Sequence, residues 1–173
     1  MFEIGDLLVY STTGICRVEN LCRPNLTGKD RETLYYQLNP LYQDGLIYAP
    51  VENCKVTMRA PLSLQEAREL LALIPTLYPE TFRAPTTQAL TQHYQTVLRS
   101  HDCEKLTVMI LSIYTKRQQA EAQNRRLGLV DERYLKQAER LLCGELAAVL
   151  QMDYEEVQSL IIRRASDLQV ASV

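Results

Sequence analysis

The chain has 173 residues, 46% of them hydrophobic, and nineteen Lys/Arg against twenty-one Asp/Glu give a net charge of −2. That length holds one or two small domains with a core that needs no disulfide or metal. The even charge excludes the strongly basic domain of a general nucleic-acid binder, and no apolar run reaches the roughly 18 residues of a membrane helix.

The first sixty residues are a string of short strands broken by turn residues. Gly5-Asp6 predicts a tight turn before a strand ending at Tyr10. Thr12-Thr13-Gly14 is a second turn, followed by a strand over Ile15–Leu21. Residues 24–30 have turn composition throughout and predict a hairpin tip leading into a strand over Glu32–Leu38. Gln43-Asp44-Gly45 predicts a type I′ hairpin, because Asp-Gly supplies the two positive φ angles that turn requires. Leu46–Ala49 is a strand closed by Pro50, and a last short strand lies around Val56–Met58. Five short strands at this spacing predict a small curled barrel of the SH3 or Tudor sort.

After a boundary near Arg59-Ala60-Pro61 the period becomes helical. Ser63 and Glu66 form a capping box for a helix running to Ile74 and stopped by Pro75. Pro75–Pro85 contains three prolines and predicts a loop. Leu90, Tyr94, Val97 and Leu98 form one stripe of the next helix, which Ser100-His101-Asp102 breaks. A long helix then carries Leu106, Met109, Ile110 and Ile113 on one face. Gly128 predicts its left-handed C-cap, with Leu129 folding back. Asp131 predicts the cap of a helix carrying Leu135, Ala138, Leu142, Leu146, Val149 and Leu150. Residues 153–156 start the last helix, with Val157, Leu160, Ile161 and Ala165 inward, and the tail after Leu168 frays. The fold class is therefore α+β: a barrel over residues 1–60 and an all-α domain of about five helices over 61–173.

No catalytic constellation emerges. Six glycines form neither GxGxxG nor GxxxxGK[ST]. His93 and His101 have no carboxylate or cysteine at ligand spacing, so no metal and no cofactor is expected. Asp131-Glu132 and Glu155-Glu156 read as charges at helix N-termini rather than acid–base pairs. Five cysteines, an odd count without CxxC spacing, read as reduced packing thiols of a cytoplasmic protein. The N-terminus lacks the pattern of a signal peptide. Lys116, Arg117, Arg125 and Arg126 lie toward the end of the long helix. Residues 91–140 hold nine basic and six acidic residues, which fits a weak phosphate-facing patch or an ordinary solvated face.

The ordered set Phe2-x-Ile4-Gly5-Asp6-x-x-Val9-Tyr10, Gly14, Tyr35-Tyr36-x-Leu38, Ile47-Tyr48-x-Pro50-Val51-x-Asn53 and Arg59 resembles the CarD/CdnL family of bacterial transcription regulators. The same barrel opens the polymerase-interaction domain of the transcription-repair coupling factor. Tyr94, Lys105-Leu106, Gly128-Leu129 and Ala138-x-x-Leu141-Leu142-x-Gly144-Glu145-Leu146-Ala147 resemble the CarD-type helical domain in order. The resemblance implies binding rather than catalysis, with no small-molecule substrate and no membrane. It implies a barrel that adds its strand edge to the RNA polymerase β subunit, with Arg23, Pro24, Ile47 and Tyr48 at the contact positions. It also implies a helical domain that faces promoter DNA and modulates the open complex. The family's wedge tryptophan position falls on Leu90, and its basic neighbours on Gln92, His93 and Gln95. The chain has no tryptophan, and Leu90 also fits the buried stripe of its helix, the reading favoured over a wedge. The alternative is an adaptor that binds polymerase or another protein without touching DNA.

Overall fold

The computed structural model describes residues 1–24, 32–77 and 79–170, with side chains to residue 166. These fall into two compact units, Met1–Pro61 and Leu62–Val173.

The first unit is one antiparallel sheet, curled into a half-barrel. Its strands are β1 (Leu7–Tyr10), β2 (Gly14–Cys22), β3 (Tyr35–Pro40), β4 (Ile47–Pro50) and β5 (Met58–Arg59), in the order β4-β3-β2-β1-β5. Gly5 adopts φ +95°, a conformation that L side chains resist, and its N–H reaches the carbonyl of Val18 at 2.8 Å. That bond folds the N-terminal residues back on β2. Alternation then sends Leu8, Cys16, Val18, Tyr36, Leu38 and Ala49 into one small core. A bulge between Val18 and Asn20 shifts the β2–β3 register by one residue. The N–H of Phe2 donates to the Tyr36 hydroxyl at 3.0 Å, which ties the chain start to the core.

Three local expectations are corrected. β3 begins at Tyr35 rather than Glu32. The β3–β4 link is six residues long, and of the Asp44-Gly45 pair only Gly45 has positive φ, at +125°. A type I′ turn needs both, and a longer loop relieves Asp44 of that strain. β5 is displaced toward Arg59 and pairs with β1 through Val9–Arg59 and Tyr10–Met58. Of the expected hairpin tip, residues 25–30 lie outside the described residues.

The second unit is helical: α1 (Leu64–Leu73), α2 (Thr87–Arg99), α3 (Cys103–Ala122), α4 (Leu129–Leu150) and α5 (Tyr154–Val170). The capping box forms in full. Glu66 N–H donates to Ser63 Oγ, and Ser63 N–H donates to Glu66 Oε2 at 2.7 Å. Pro75 does not end the helical path at once; it sits in a 3-10 turn over Ile74–Thr76, where its missing N–H costs nothing. Thr86 caps α2, and Asp102 caps α3 by accepting the N–H groups of Glu104 and Lys105.

α3 is the axis of this unit. Leu106, Met109, Ile110 and Ile113 are buried, but so are Thr107, Leu111, Ser112 and Tyr114, so its middle is enclosed on more than one face. α1, α2, α4 and α5 supply the rest of the core, from Leu70 and Leu71 through Tyr94, Leu142 and Leu146 to Val157 and Ile161. Each such side chain contributes about 1.5–3 kcal/mol by burial. Arg164 Nη1 donates to the carbonyl of Leu71 at 2.7 Å and links α5 to α1.

The α3–α4 connection overturns two expectations. Asn124, not Gly128, takes the left-handed position, with φ 54°. The N–H groups of Asn124 and Arg125 close back on the carbonyls of Glu121 and Ala120, a Schellman motif. Gly128, at φ −60° and ψ 146°, is instead the N-cap of α4, and Leu129 is 84% exposed rather than folded back. Asp131 stands in the first turn of α4 as its third residue, and its carboxylate serves side chains of α2 and α3 instead of capping. Arg125 and Arg126 consequently lie beyond α3, in the loop. α5 runs to Val170, and residues 171–173 lie outside the described ones.

Candidate functional site

β4 is an edge strand. One side pairs with β3 through Leu38–Ile47, Gln37–Tyr48, Tyr36–Ala49 and Tyr35–Pro50. Among the described residues its other side carries no strand of this sheet, which leaves alternate N–H and C=O groups as a template for another chain. The register decides which side chains such a chain meets. Ala49 is fully buried and Ile47 packs partly on the core, whereas Tyr48 turns outward and is 37% exposed. Across the sheet, Tyr48 stands in a row with Gln37 and Asn20. Leu46 and Tyr42, in the preceding loop, add exposed apolar surface at 47% and 36%.

Arg23 and Pro24 are elsewhere on the sheet. They follow β2, two strands from the edge, just past the Cys22–Tyr35 pair. At strand spacing and rise, this puts Arg23 roughly 14 Å from Tyr48. Arg23 is exposed and donates through Nε to the carbonyl of Glu32 at 3.2 Å. The structure therefore joins Ile47 and Tyr48 on one edge and sets Arg23 and Pro24 apart from them.

In the helical unit the expected nucleic-acid residues divide sharply. Leu90 is half-buried and packs on the core. Gln92 is exposed. His93 stacks on Phe82, centroids 3.8 Å apart and 16° from parallel, and burial, then Lys116, hold its pKa below the ordinary value. Gln95 donates to the Tyr134 hydroxyl at 3.1 Å. Arg117 lies over the Tyr114 ring, 6.0 Å from its centroid.

Lys116 is committed inside the unit. Its Nζ is 2.9 Å from Asp131 Oδ1 and 3.2 Å from the Tyr94 hydroxyl, and Tyr94 in turn donates to Asp131 Oδ1 at 2.5 Å. Burial, then the hydrogen bond and charge of Asp131, push the Tyr94 pKa well above that of a free tyrosine. A second buried pair of the same kind joins Tyr114 to Glu139.

Arg125 and Arg126 are exposed and line a hollow of about 280 Å³ with Arg83, Lys116, Gln119, Gln123, Gly128 and Asp131, the last already paired with Lys116. Arg83 Nη2 donates to Gln119 at 3.2 Å, and Arg125 donates to Gln123. Among the described residues none of the three guanidiniums meets a carboxylate. Arg83 was missed in the sequence. The only signal for it was the Phe82-Arg83 pair, an aromatic beside a cation, set between Pro79 and Pro85. Among the described residues no group of three or more His, Cys, Asp or Glu could hold a metal ion, and no helix is long and apolar enough to cross a membrane.

A small open sheet that presents a tyrosine-bearing edge strand defines a class of protein-interaction modules. Within that class, residues 2–61 match the family model of the CarD-like/TRCF RID domain. The match covers the barrel unit and supports an RNA polymerase-interacting protein of the CarD/TRCF type. No curated protein matches the chain.

Proposed function

We propose that the protein is a cytoplasmic transcription regulator that docks on the RNA polymerase β subunit along β4 and modulates the promoter open complex through its helical unit. The observation that carries the docking is the edge position of β4, with Tyr48 facing outward, inside a polymerase-interaction barrel. Main-chain bonds along the edge give affinity, and Tyr48, flanked by Leu46 and Tyr42, gives selectivity. Ile47 contributes through its backbone, since its side chain faces the core. Tyr48→Asp places a charge at the centre of this contact. It is expected to weaken binding to an isolated polymerase β-lobe fragment by about tenfold or more, with no change in the barrel's thermal midpoint. Unchanged binding would remove β4 from the interface.

For the helical unit, the three unneutralised guanidiniums of Arg83, Arg125 and Arg126 favour phosphate contact at the α3–α4 loop. Leu90 packs inward, so this reading assigns the DNA contact to those arginines rather than to a wedge. In footprints of the polymerase–promoter complex, protection added by the protein upstream of the start site is expected to disappear in Arg125→Ala/Arg126→Ala. Identical footprints with and without the wild-type protein would instead favour an adaptor that does not touch DNA. Lys116, held by Asp131, favours that second reading to the extent that it is unavailable to phosphate.

A further inference from the structure

The opposite end of α3 has the reverse chemistry. Leu62, Glu66, Glu69, Leu70 and Leu73 recur at helical spacing and share one face of α1 with the residue leading into it. That face and the start of α3, Asp102, Cys103 and Glu104, enclose a groove of about 400 Å³. Its floor is leucine and a thiol, and its walls carry four carboxylates with no basic residue among the lining.

The groove is held in shape from below. Glu145, buried on α4, accepts the N–H of Leu62 at 2.8 Å and the thiol of Cys103 at 3.5 Å. These two bonds fix the Leu62 backbone and the Cys103 side chain at the base of the groove. Two of the wall carboxylates, Glu69 and Glu104, meet no basic side chain among the described residues. Asp102 has Lys105 at 3.8 Å, with that lysine 64% exposed.

We propose that this groove docks an apolar segment of a partner protein flanked by lysine or arginine. Its apolar side chains would enter between Leu62, Leu70 and Leu73, while its cations would meet Glu69 and Glu104. Charge complementarity makes the choice. Four like-charged carboxylates repel nucleic acid and anionic lipid, and the leucine floor rewards an aliphatic anchor that a bare cation lacks. α3 spans about 30 Å from Cys103 to Ala122, so a partner held here leaves Arg125 and Arg126 open.

The test uses the full chain with methyl-labelled leucines and two synthetic helical peptides. One has a leucine stripe flanked by lysines; in its twin every lysine is glutamate. The lysine peptide is expected to shift the Leu62, Leu70 and Leu73 methyl signals saturably, and the glutamate twin to leave them unmoved. Glu69→Lys/Glu104→Lys is expected to weaken the lysine peptide about tenfold. Both residues are exposed, so the fold should survive; Glu69→Gln/Glu104→Gln, with about a threefold loss expected, serves if it does not. No shift at these methyls, or equal affinity in wild type and both variants, overturns the proposal. Because Tyr48 lies in the other unit, β-lobe binding should be untouched by the Glu69 and Glu104 variants.

Discussion

Replacing Asp131 with alanine is expected to cost the helical unit about 3–5 kcal/mol, the usual penalty for leaving one member of a buried ion pair without its partner. The Asp131 and Lys116 side chains are each 13% exposed, and the pair is closed by the Tyr94 hydroxyl, itself on a ring that is 1% exposed. Removing the carboxylate strands both an ammonium and a hydroxyl. The size of the loss is therefore a desolvation penalty and not the worth of the bond. Deleting all three polar groups together separates the two quantities. Tyr94→Phe/Lys116→Met/Asp131→Leu is expected to recover most of the loss, since apolar replacements of buried ion pairs are often neutral. Urea midpoints followed by helical circular dichroism measure both. A single-variant loss under about 1 kcal/mol would mean that solvent screens the triad as it does a surface pair.

That triad also shows where sequence reasoning runs out. Asp131 near the start of a helix reads as a capping residue because local pattern offers nothing else for it to do. Its true partners are 15 and 37 residues away in the chain, and only the packing of α2, α3 and α4 brings them together. Gly128 fails for a related reason. Asn124 and Gly128 are both good left-handed residues, four positions apart, and nothing local decides between them. The Schellman bonds at Asn124 decide it, and Gly128 is then free to start α4. A Cβ at Gly128 would stand 3.3 Å from Asp131 Oδ2, so the glycine also makes room for the triad's carboxylate.

What was legible rests on short-range chemistry. The Ser63–Glu66 box, the stripe through Tyr94 and Leu98, and the inward set Val157 and Ile161 are each fixed by spacing along one helix. The strands of the barrel were visible because glycine and turn residues punctuate them. Their edges were not, because strand order is a long-range property. Ile47 and Tyr48 are neighbours in the same predicted strand, yet the pleat sends one to the core and the other to solvent. Arg83 is the same lesson at the other unit: its neighbours Arg125 and Arg126 are more than forty residues away.

Alkaline pH should unfold the helical unit well before it affects a typical protein surface. Cys143 is fully buried, and burial, then the Glu139 charge, push its thiol from 9.0 up to about 12. Tyr94, Tyr114 and Tyr154 are also raised above the ordinary 10.0, in each case chiefly by burial. The sign follows from proton counting. Above pH 9 the unfolded chain sheds the Cys143 proton while the native unit keeps it, so stability present below that pH is lost as pH rises. One such group costs about 1.4 kcal/mol per pH unit, so Cys143 alone removes on the order of 3 kcal/mol by about pH 11. The three tyrosines join from pH 10 upward and steepen the fall. A domain holds about 5–15 kcal/mol in total, so these four groups together remove a large share of it by about pH 11. In the barrel, Cys16 is raised to about 12 in the same way, and Tyr10 is raised as well, so two groups there act against four in the helical unit. Urea titrations of the full chain at pH 8, 10 and 11, read at 222 nm, measure the slope, and Cys143→Ala should flatten it by about 1.4 kcal/mol per pH unit. A midpoint that holds steady from pH 8 to 11 would show that these groups ionise in the folded unit as they do in water.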